Sequence, residues 1–437
     1  MTAAEGSVMP SRSSSLRQLW VLITTALIDQ IGFLMIVPLF PFYAKRLGAS
    51  PGMIGALFSC FAFAQLVSSP FWGRFSDRYG RRPMLLLGLF GSAVAFVLFA
   101  MANNLWLLFA SRLVQGAGGG TTGVAQAYIS DSMEPEERAQ GLGWLSAATN
   151  VGVMIGPGLA LLTGHFGPRA PGFFAAGLCL INIVFTWYWL PESRRQETED
   201  GTPSRPRRSL ARALGEVLTN PTTPVSSLIW VYAVGMMAFT AMSSMLALYL
   251  GERFGVTEKT IPYFYIYIGA VSVVMRAILL GPIVRRYGEL AVLRVGTIAM
   301  VTGFALYPFV RSCSDPLPGW RWLPCGYTPL ILVSMLVPIG TALLFPATTA
   351  LVSRRGPRGE TGQVMGVQQA FGGICKVAGP LWAGWSFQHM GIRSPFWISA
   401  LLMIGVSFLT HRLSDEEGRR RRPGPSEAPV ALPDTPK

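Results

Sequence analysis

Four ionisable side chains stand inside long apolar runs of this 437-residue chain: Asp29, Arg112, Arg276 and Lys376. A charge facing hydrocarbon costs about 2.5–3.5 kcal/mol on insertion scales, so each must face an aqueous cavity or a partner. A carboxyl group in such a place can bind and release a proton or hold a cation. That makes Asp29 the first candidate for coupling, against the plainer reading of a structurally paired acid. Arginine stays charged, so Arg112 acts by biasing a nearby acid or orienting polar groups, or else snorkels to an interface. Lysine shifts its pKa when buried, which opens a coupling role to Lys376. Arg276 reads as an ion-pair or cavity residue with no assigned task.

Polar side chains that interrupt apolar helices mark a wetted face. Gln126, Asn150, Gln368 and Gln369 do so here, and Phe33, Trp144, Tyr232, Phe239, Phe345 and Trp382 offer a broad apolar wall. From these, Phe33, Gln126, Trp144, Asn150 and Gln369 are the cavity candidates.

The elements that carry these residues follow from composition. The chain is 51% hydrophobic and only 13% charged, about half the charge of an average soluble domain. Apolar runs long enough to cross a ~30 Å hydrocarbon layer recur throughout, and irregular backbone cannot face lipid, so each must be helical. They are expected near 18–42, 52–72, 84–102, 106–130, 140–163, 172–190, 226–250, 261–283, 290–310, 328–350, 364–388 and 395–412. The predicted fold is an all-α membrane protein of about twelve transmembrane helices in two pseudo-symmetric six-helix bundles. The bundles cover 18–190 and 226–412. Residues 1–17 form a cytoplasmic N-terminus, 191–225 a polar linker and 413–437 a disordered tail. The opening residues lack the pattern of a removable signal, so the first span is expected to serve as an uncleaved one.

The formal net charge of +14 raises nucleic acid as a partner, but the placement of the 36 Lys and Arg argues against it. Loops on the side of the termini hold 25, opposite loops hold 8, and Arg112, Arg276 and Lys376 lie within runs. By the positive-inside rule both termini are cytoplasmic, in a multi-pass protein of the cell's inner membrane. Arg419 to Arg422 then meet anionic lipid headgroups. Cys60, Cys179 and Cys375 read as small thiols inside apolar runs. Cys313 and Cys325 share one external loop, as a disulfide or as free thiols. Neither metal-ligand spacing nor a nucleophile–base arrangement occurs, and the three histidines fall near span ends. No enzyme, metal or cofactor is expected, and the protein is expected to be a monomer.

The chain repeats itself. "AQGLGWLSAATNVGVMIGPGLA" (139–160) aligns with "GQVMGVQQAFGGICKVAGPLWA" (362–383) at an offset of 223, pairing Gly143 with Gly366 and Gly156-Pro157 with Gly379-Pro380. "GRFSDRYG" (73–80) likewise meets "GPIVRRYG" (281–288). A parallel repeat of six helices is a transporter plan.

Topology explains the arginines of "GRFSDRYGRRP" (73–83), but not Gly73, Asp77 and Gly80. Gly73 allows a close backbone approach and Gly80 a tight reversal. Arg78, Arg81 or Arg82 can meet Asp131, Glu134 or Glu137 after the fourth span. In the repeated loop Arg285 stands where Asp77 stands, so any gate built on Asp77 is one-sided.

Four stretches carry a family likeness: 27–42, 73–83, 111–143 and 150–160. With the repeat, they make the chain resemble the major facilitator superfamily, and within it the drug:proton antiporters that include tetracycline and multidrug exporters. The resemblance implies that Asp77 sits at the N-terminus of the eleventh helix as part of a cytoplasmic gate. It implies that Arg112, within an R-x-x-Q-G signature kept as Arg112, Gln115 and Gly116, takes part in proton coupling. It also implies that Gly152, Gly156 and Pro157 form an antiporter element in helix 5, although Ala160 and Leu161 replace two further glycines. The expected function is proton-coupled efflux of an amphiphilic, drug-like small molecule by alternating access, with protons and membrane lipids as the other partners. Uptake of a nutrient or metabolite, and a non-transporting membrane scaffold or sensor, are the alternatives.

Overall fold

The computed structural model describes residues 12–133, 135–192, 210–311, 326–356 and 361–421. Most of the expected linker, the end of the tail, Glu134, Cys313 and Cys325 lie outside the described residues.

The first half runs α1 (Arg12–Ile36), α2 (Phe40–Arg46), α3 (Pro51–Tyr79), α4 (Arg81–Ala100), α5 (Leu105–Gly118), α6 (Thr121–Ser132), α7 (Pro135–Gly164) and α8 (Ala170–Trp189). After the short α9 (Leu210–Thr219), the second half begins with α10 (Pro224–Phe254), α11 (Ile261–Val273), α12 (Leu280–Tyr287) and α13 (Glu289–Leu306). It ends with α14 (Tyr327–Ser334), α15 (Leu336–Arg355), α16 (Thr361–Met390) and α17 (Ser394–Arg421).

Local chemistry sets the boundaries. Ser50 and Thr223 cap α3 and α10 by accepting from the backbone N–H of Met53 and Ser226, each at 3.3 Å. In both helices proline takes the first turn, where a missing N–H costs nothing. Pro38 lacks an N–H and crowds the preceding turn, so the first span breaks after Ile36 and resumes as α2.

Among the described residues ten stretches are long and apolar enough to span a membrane. The other two positions of the twelve-helix plan are α5–α6, interrupted at Gly119-Gly120, and α16, which carries Gln363, Gln368, Gln369 and Lys376. The protein is thus an all-α, multi-pass membrane protein with its helices in two bundles.

The halves meet along two seams, both away from the end that carries the 73–83 loop. In the first, α3 lies against α16 almost backbone to backbone. A Cβ at Gly55 would collide with the Pro380 carbonyl, and one at Gly384 would stand 3.1 Å from the Cα of Gly52. Ser59 Oγ donates to the Val377 carbonyl at 2.7 Å, and the Gly52 N–H to Gln388 Oε1 at 3.2 Å. In the second seam a Cβ at Gly269 of α11 would stand 3.0 Å from the Cα of Met154 in α7. Two ion pairs cross between the halves at this far end, Lys45 Nζ to Glu252 at 3.1 Å and Arg46 to Glu258.

The repeated glycines differ in their surroundings along the helices. Gly156 is pressed onto Leu34 and Ile31 of α1, and Gly379 onto Met237 and Thr240 of α10, whereas Gly143 and Gly366 have nothing within 4 Å. The close approaches and ion pairs described between the halves lie at the far end and at mid-depth.

Candidate functional site

Between the halves lies a cavity of about 540 Å³ that takes wall residues from both. Asp29, Gln30 and Phe33 come from α1, Gln65 from α3, Ser92 from α4, and Thr121 and Thr122 from α6. Asn150 comes from α7. The second half supplies Phe239, Thr240 and Ser243, then Tyr265, Ser272 and Arg276, and Lys376 from α16.

The glycine run 116–120 explains how Asp29 acquires its neighbour. Gly116 fits under the Phe61 carbonyl, and a side chain at Gly120 would strike the Trp72 ring. Trp72 Nε1 in turn donates to the Ala117 carbonyl at 2.5 Å. These close approaches hold the break between α5 and α6, and Thr121 at the start of α6 donates from Oγ1 to Asp29 Oδ2 at 3.3 Å. No described cation pairs with Asp29. Lys376 makes no hydrogen bond or ion pair with any described residue. It sits one turn before Gly379-Pro380, where α16 locks onto α10.

Arg276 belongs to a π-helical segment, Val274–Leu279, that interrupts the eighth span between α11 and α12. Such segments are uncommon and concentrate at functional sites. Its Nη1 donates to Asn150 Oδ1 at 3.4 Å, a contact across the two halves, while its Nε is buried without a partner.

Arg112 stands apart from this group. It is 4% exposed and absent from the cavity wall; its guanidinium lies 4.6 Å from the ring centre of Phe40 and 5.9 Å from that of Phe99. Its Nε and Nη2 have no hydrogen-bond partner. Aromatic faces attract a cation by their quadrupoles, and they stand in for the acid or lipid interface expected from the sequence. One turn on, Gln115 does reach the cavity.

Of the five cavity candidates, Phe33 and Asn150 line it, and Gln126, Trp144 and Gln369 do not. Those three side chains are exposed nearer the basic end. Trp144 precedes Asn150 by six residues and Gln369 precedes Lys376 by seven, offsets of about 9 and 10.5 Å at 1.5 Å per residue. Polarity identified a wetted face but not its depth. Gln368 is buried and donates to Thr349 Oγ1 at 3.1 Å. Gln30 and Gln65, overlooked from sequence, interrupt apolar runs in the same manner as Asn150. Tyr265 had no comparable signal.

In helix 5, Gly152 and Gly156 face α1, with a Cβ at Gly152 standing 2.9 Å from that of Gln30. Pro157 lies within the helix, and Val153 and Met154 on another side of α7 meet the second half. The glycines therefore pack α7 inside its own bundle.

At the basic end, Gly80 has φ 102° and ψ 156°, backbone that only glycine adopts without strain. Arg81 Nη1 meets Asp77 Oδ1 at 2.6 Å, and its Nε meets Asp131 Oδ2 at 2.8 Å. The repeat has an ion pair of its own, Arg354 to Glu289 at 3.1 Å. Glu192, not foreseen from sequence, accepts from the backbone N–H groups of Arg81 at 2.8 Å and Arg82 at 3.2 Å. It caps α4, since glycine at the N-cap brings no side chain of its own.

Three groups of gate residues make other contacts in this structure than the expected ones. Asp77 pairs with Arg81, and no described hydrogen bond joins it to α16. Gly73 has no described neighbour within 4 Å. Arg82 turns away from the acids after α6, donating to the Trp187 carbonyl and lying over its ring, while Arg78 lies over Tyr79. Glu137 falls in the first turn of α7.

The family model of the Major Facilitator Superfamily matches residues 22–327 and 322–435, nearly the whole chain. The chain belongs to that superfamily. Its relatives there include the class B tetracycline resistance protein of Escherichia coli, 26% identical over 89% of this chain and 92% of that protein. Multidrug resistance protein 2 of Bacillus subtilis is 28% identical over 88% and 92%. Two solved transporter structures share the fold. The human organic anion transporter MFSD10 (TETRAN) has a TM-score of 0.65 at 22% identity, covering 91% of this chain and 99% of that one. A POT family transporter in complex with 5-aminolevulinic acid reaches 0.72 at 14%, covering 92% and 96%. Membership makes the protein a membrane transporter of the superfamily, which carries small molecules and is generally not enzymatic.

Proposed function

We propose that the protein exports an amphiphilic small molecule in exchange for protons, with the basic end in the cytoplasm and the far end outside the inner membrane. The observation that carries the reading is Asp29. It is an acid without an ionic partner on the wall of a cavity shared by both halves, placed to carry a proton along the path the substrate takes. The tetracycline and multidrug resistance relatives support the direction of transport. In the open-to-cytoplasm state the cavity takes substrate. Closure of the basic end, with separation of the α3–α16 and α7–α11 seams, then delivers it outside. Asp77 leaves Arg81 for the N-terminus of α16 in that step, where the free N–H groups and helix dipole favour an anion. Arg112, behind the wall, holds the protonation balance through the field it sets up rather than by contact with substrate.

Inverted vesicles test this directly. Addition of a transported drug should release protons from the acidified lumen, and Asp29→Asn should abolish the release while leaving protein in the membrane. Accumulation indifferent to a proton gradient would instead make the protein a facilitator.

A further inference from the structure

Three charged groups look into one cavity, and their distribution is lopsided. Asp29 is the acid of the first half; Arg276 and Lys376 are both cations of the second. None has an oppositely charged partner among the described residues. The other polar groups on the second-half wall, Thr240, Ser243 and Tyr265 among them, are all neutral. With all three ionised, the cavity carries one uncompensated positive charge.

An unpaired charge in a low-dielectric site is unfavourable, and two of the same sign on one wall more so. The fold nevertheless goes out of its way to keep Arg276 there. The π-helical turn departs from regular helix at this residue, and its Nε is left buried without an acceptor. Asn150 supplies only a neutral oxygen at 3.4 Å. What the wall lacks is an anion. Around it the surface is aromatic, with Phe33 and Phe61 5.4 Å apart on one side and Phe239 on the other.

We infer that the substrate is an organic acid: an aromatic or similarly apolar body carrying a carboxylate, sulfonate or acidic enol, with the anionic group received by Arg276 and Lys376. This rests on the reading of the cavity as the transport site, and narrows it. Arginine offers a planar fork of donors and lysine a compact point charge, so the pair accepts anions of differing geometry. The apolar body fits between the aromatic side chains, and any basic group on the same molecule turns toward Asp29.

A matched fluorescent series separates the charge from the body: dansylglycine, its methyl ester, and dansylethylenediamine. Binding is measured on purified protein in detergent and movement in proteoliposomes. The acid is expected to bind about tenfold more tightly than the ester, the equivalent of one charge-assisted hydrogen bond. Arg276→Gln and Lys376→Gln should each pull that acid-to-ester ratio toward unity, and Lys376→Arg should keep it. Ligand-free Lys376→Gln should also melt no lower than the parent, since it removes an unpaired charge; a clear drop in Tm would reveal a structural ion pair and overturn the inference. Preference for the ester or amine, or a ratio indifferent to both glutamine variants, overturns it as well. If the ester is carried as well as the acid, the charge assignment fails and the transport reading stands. If the acid is bound selectively but never moved, transport fails and the assignment stands. Binding of none of the three overturns the inference.

Discussion

The loops 73–80 and 281–288 have kept one backbone but not one pattern of charge. Gly80 and Gly288 occupy the same region, with φ 102° and 79° and ψ 156° and 162°, and each joins two helices in the same way. Around that shared turn three charges change sign, while Arg78 and Arg286 keep theirs. Asp77 corresponds to Arg285, Arg81 to Glu289 and, through the later repeat, Asp131 to Arg354. Arg81 to Asp131 in the first half thus becomes Glu289 to Arg354 in the second. Turn geometry depends on the absence of a Cβ, whereas an ion pair needs only opposite signs. The duplicated scaffold therefore tolerates inversion of its charges but not loss of its glycine. What inversion removes is an anion able to engage a helix N-terminus, so the two loops share a fold and differ in what they can grip.

The sharpest way to break this comparison is at Asp77. Asp77→Asn should cut substrate transport about tenfold or more, the loss of one charge-assisted contact in the closed state. Arg285→Gln should change it less than about twofold. Equal losses at the two positions, measured as initial rates in vesicles, would show that the loops work alike.

Next in size come the glycines. Gly80→Ala should cost about 2–3 kcal/mol, combining backbone strain with the carboxylate of Glu192, which a Cβ would meet at 2.5 Å. At Gly288 nothing lies within 4 Å, so alanine should cost only the strain, about 1–2 kcal/mol. Thermal unfolding in detergent ranks the two. The smallest effects belong to the ion pairs. Arg81, with its side chain only 15% exposed and two acids on it, should lose about 1–2 kcal/mol as alanine. Arg354 is 74% exposed and should lose about 0.5 kcal/mol or less. Arg81→Glu combined with Asp131→Arg, which writes the polarity of the Glu289–Arg354 pair into the first half, should recover part of what Arg81→Glu alone loses, since Asp77 stays beside the introduced carboxylate.

Much of this was legible in the chain because membrane solvent is an exacting constraint. Helix positions followed from apolar length, the two bundles from the internal repeat, and Gly80 from the need for a tight reversal. Asp29, Asn150 and Lys376 reached the cavity for the reason that singled them out: no polar group is held in a span without water or a partner. The residues that escaped depended on contacts remote in sequence. The cradle of Arg112 comes from α2 and α4, and the cap on α4 comes from Glu192, 111 residues from Arg81. Nothing in "VMRAIL" announces a π turn. Gln126, Trp144 and Gln369 show the limit of a polar-residue rule, which marks a wetted face but carries no measure of how deep along the helix the cavity lies.

The unbalanced charge of the cavity makes the carrier an electrical device as well as a chemical one. Each charge carried through a full 100 mV is worth about 2.3 kcal/mol, and a partial traverse is worth a proportionate share. With Asp29 protonated, Arg276 and Lys376 leave two positive charges moving with the walls; with Asp29 ionised they leave one. A bound monoanion brings the ionised cavity to zero. In the proposed proton exchange, membrane voltage would then act on the proton-loaded return of the carrier and leave its substrate-loaded stroke almost untouched, so that electrical work enters the cycle in one direction only.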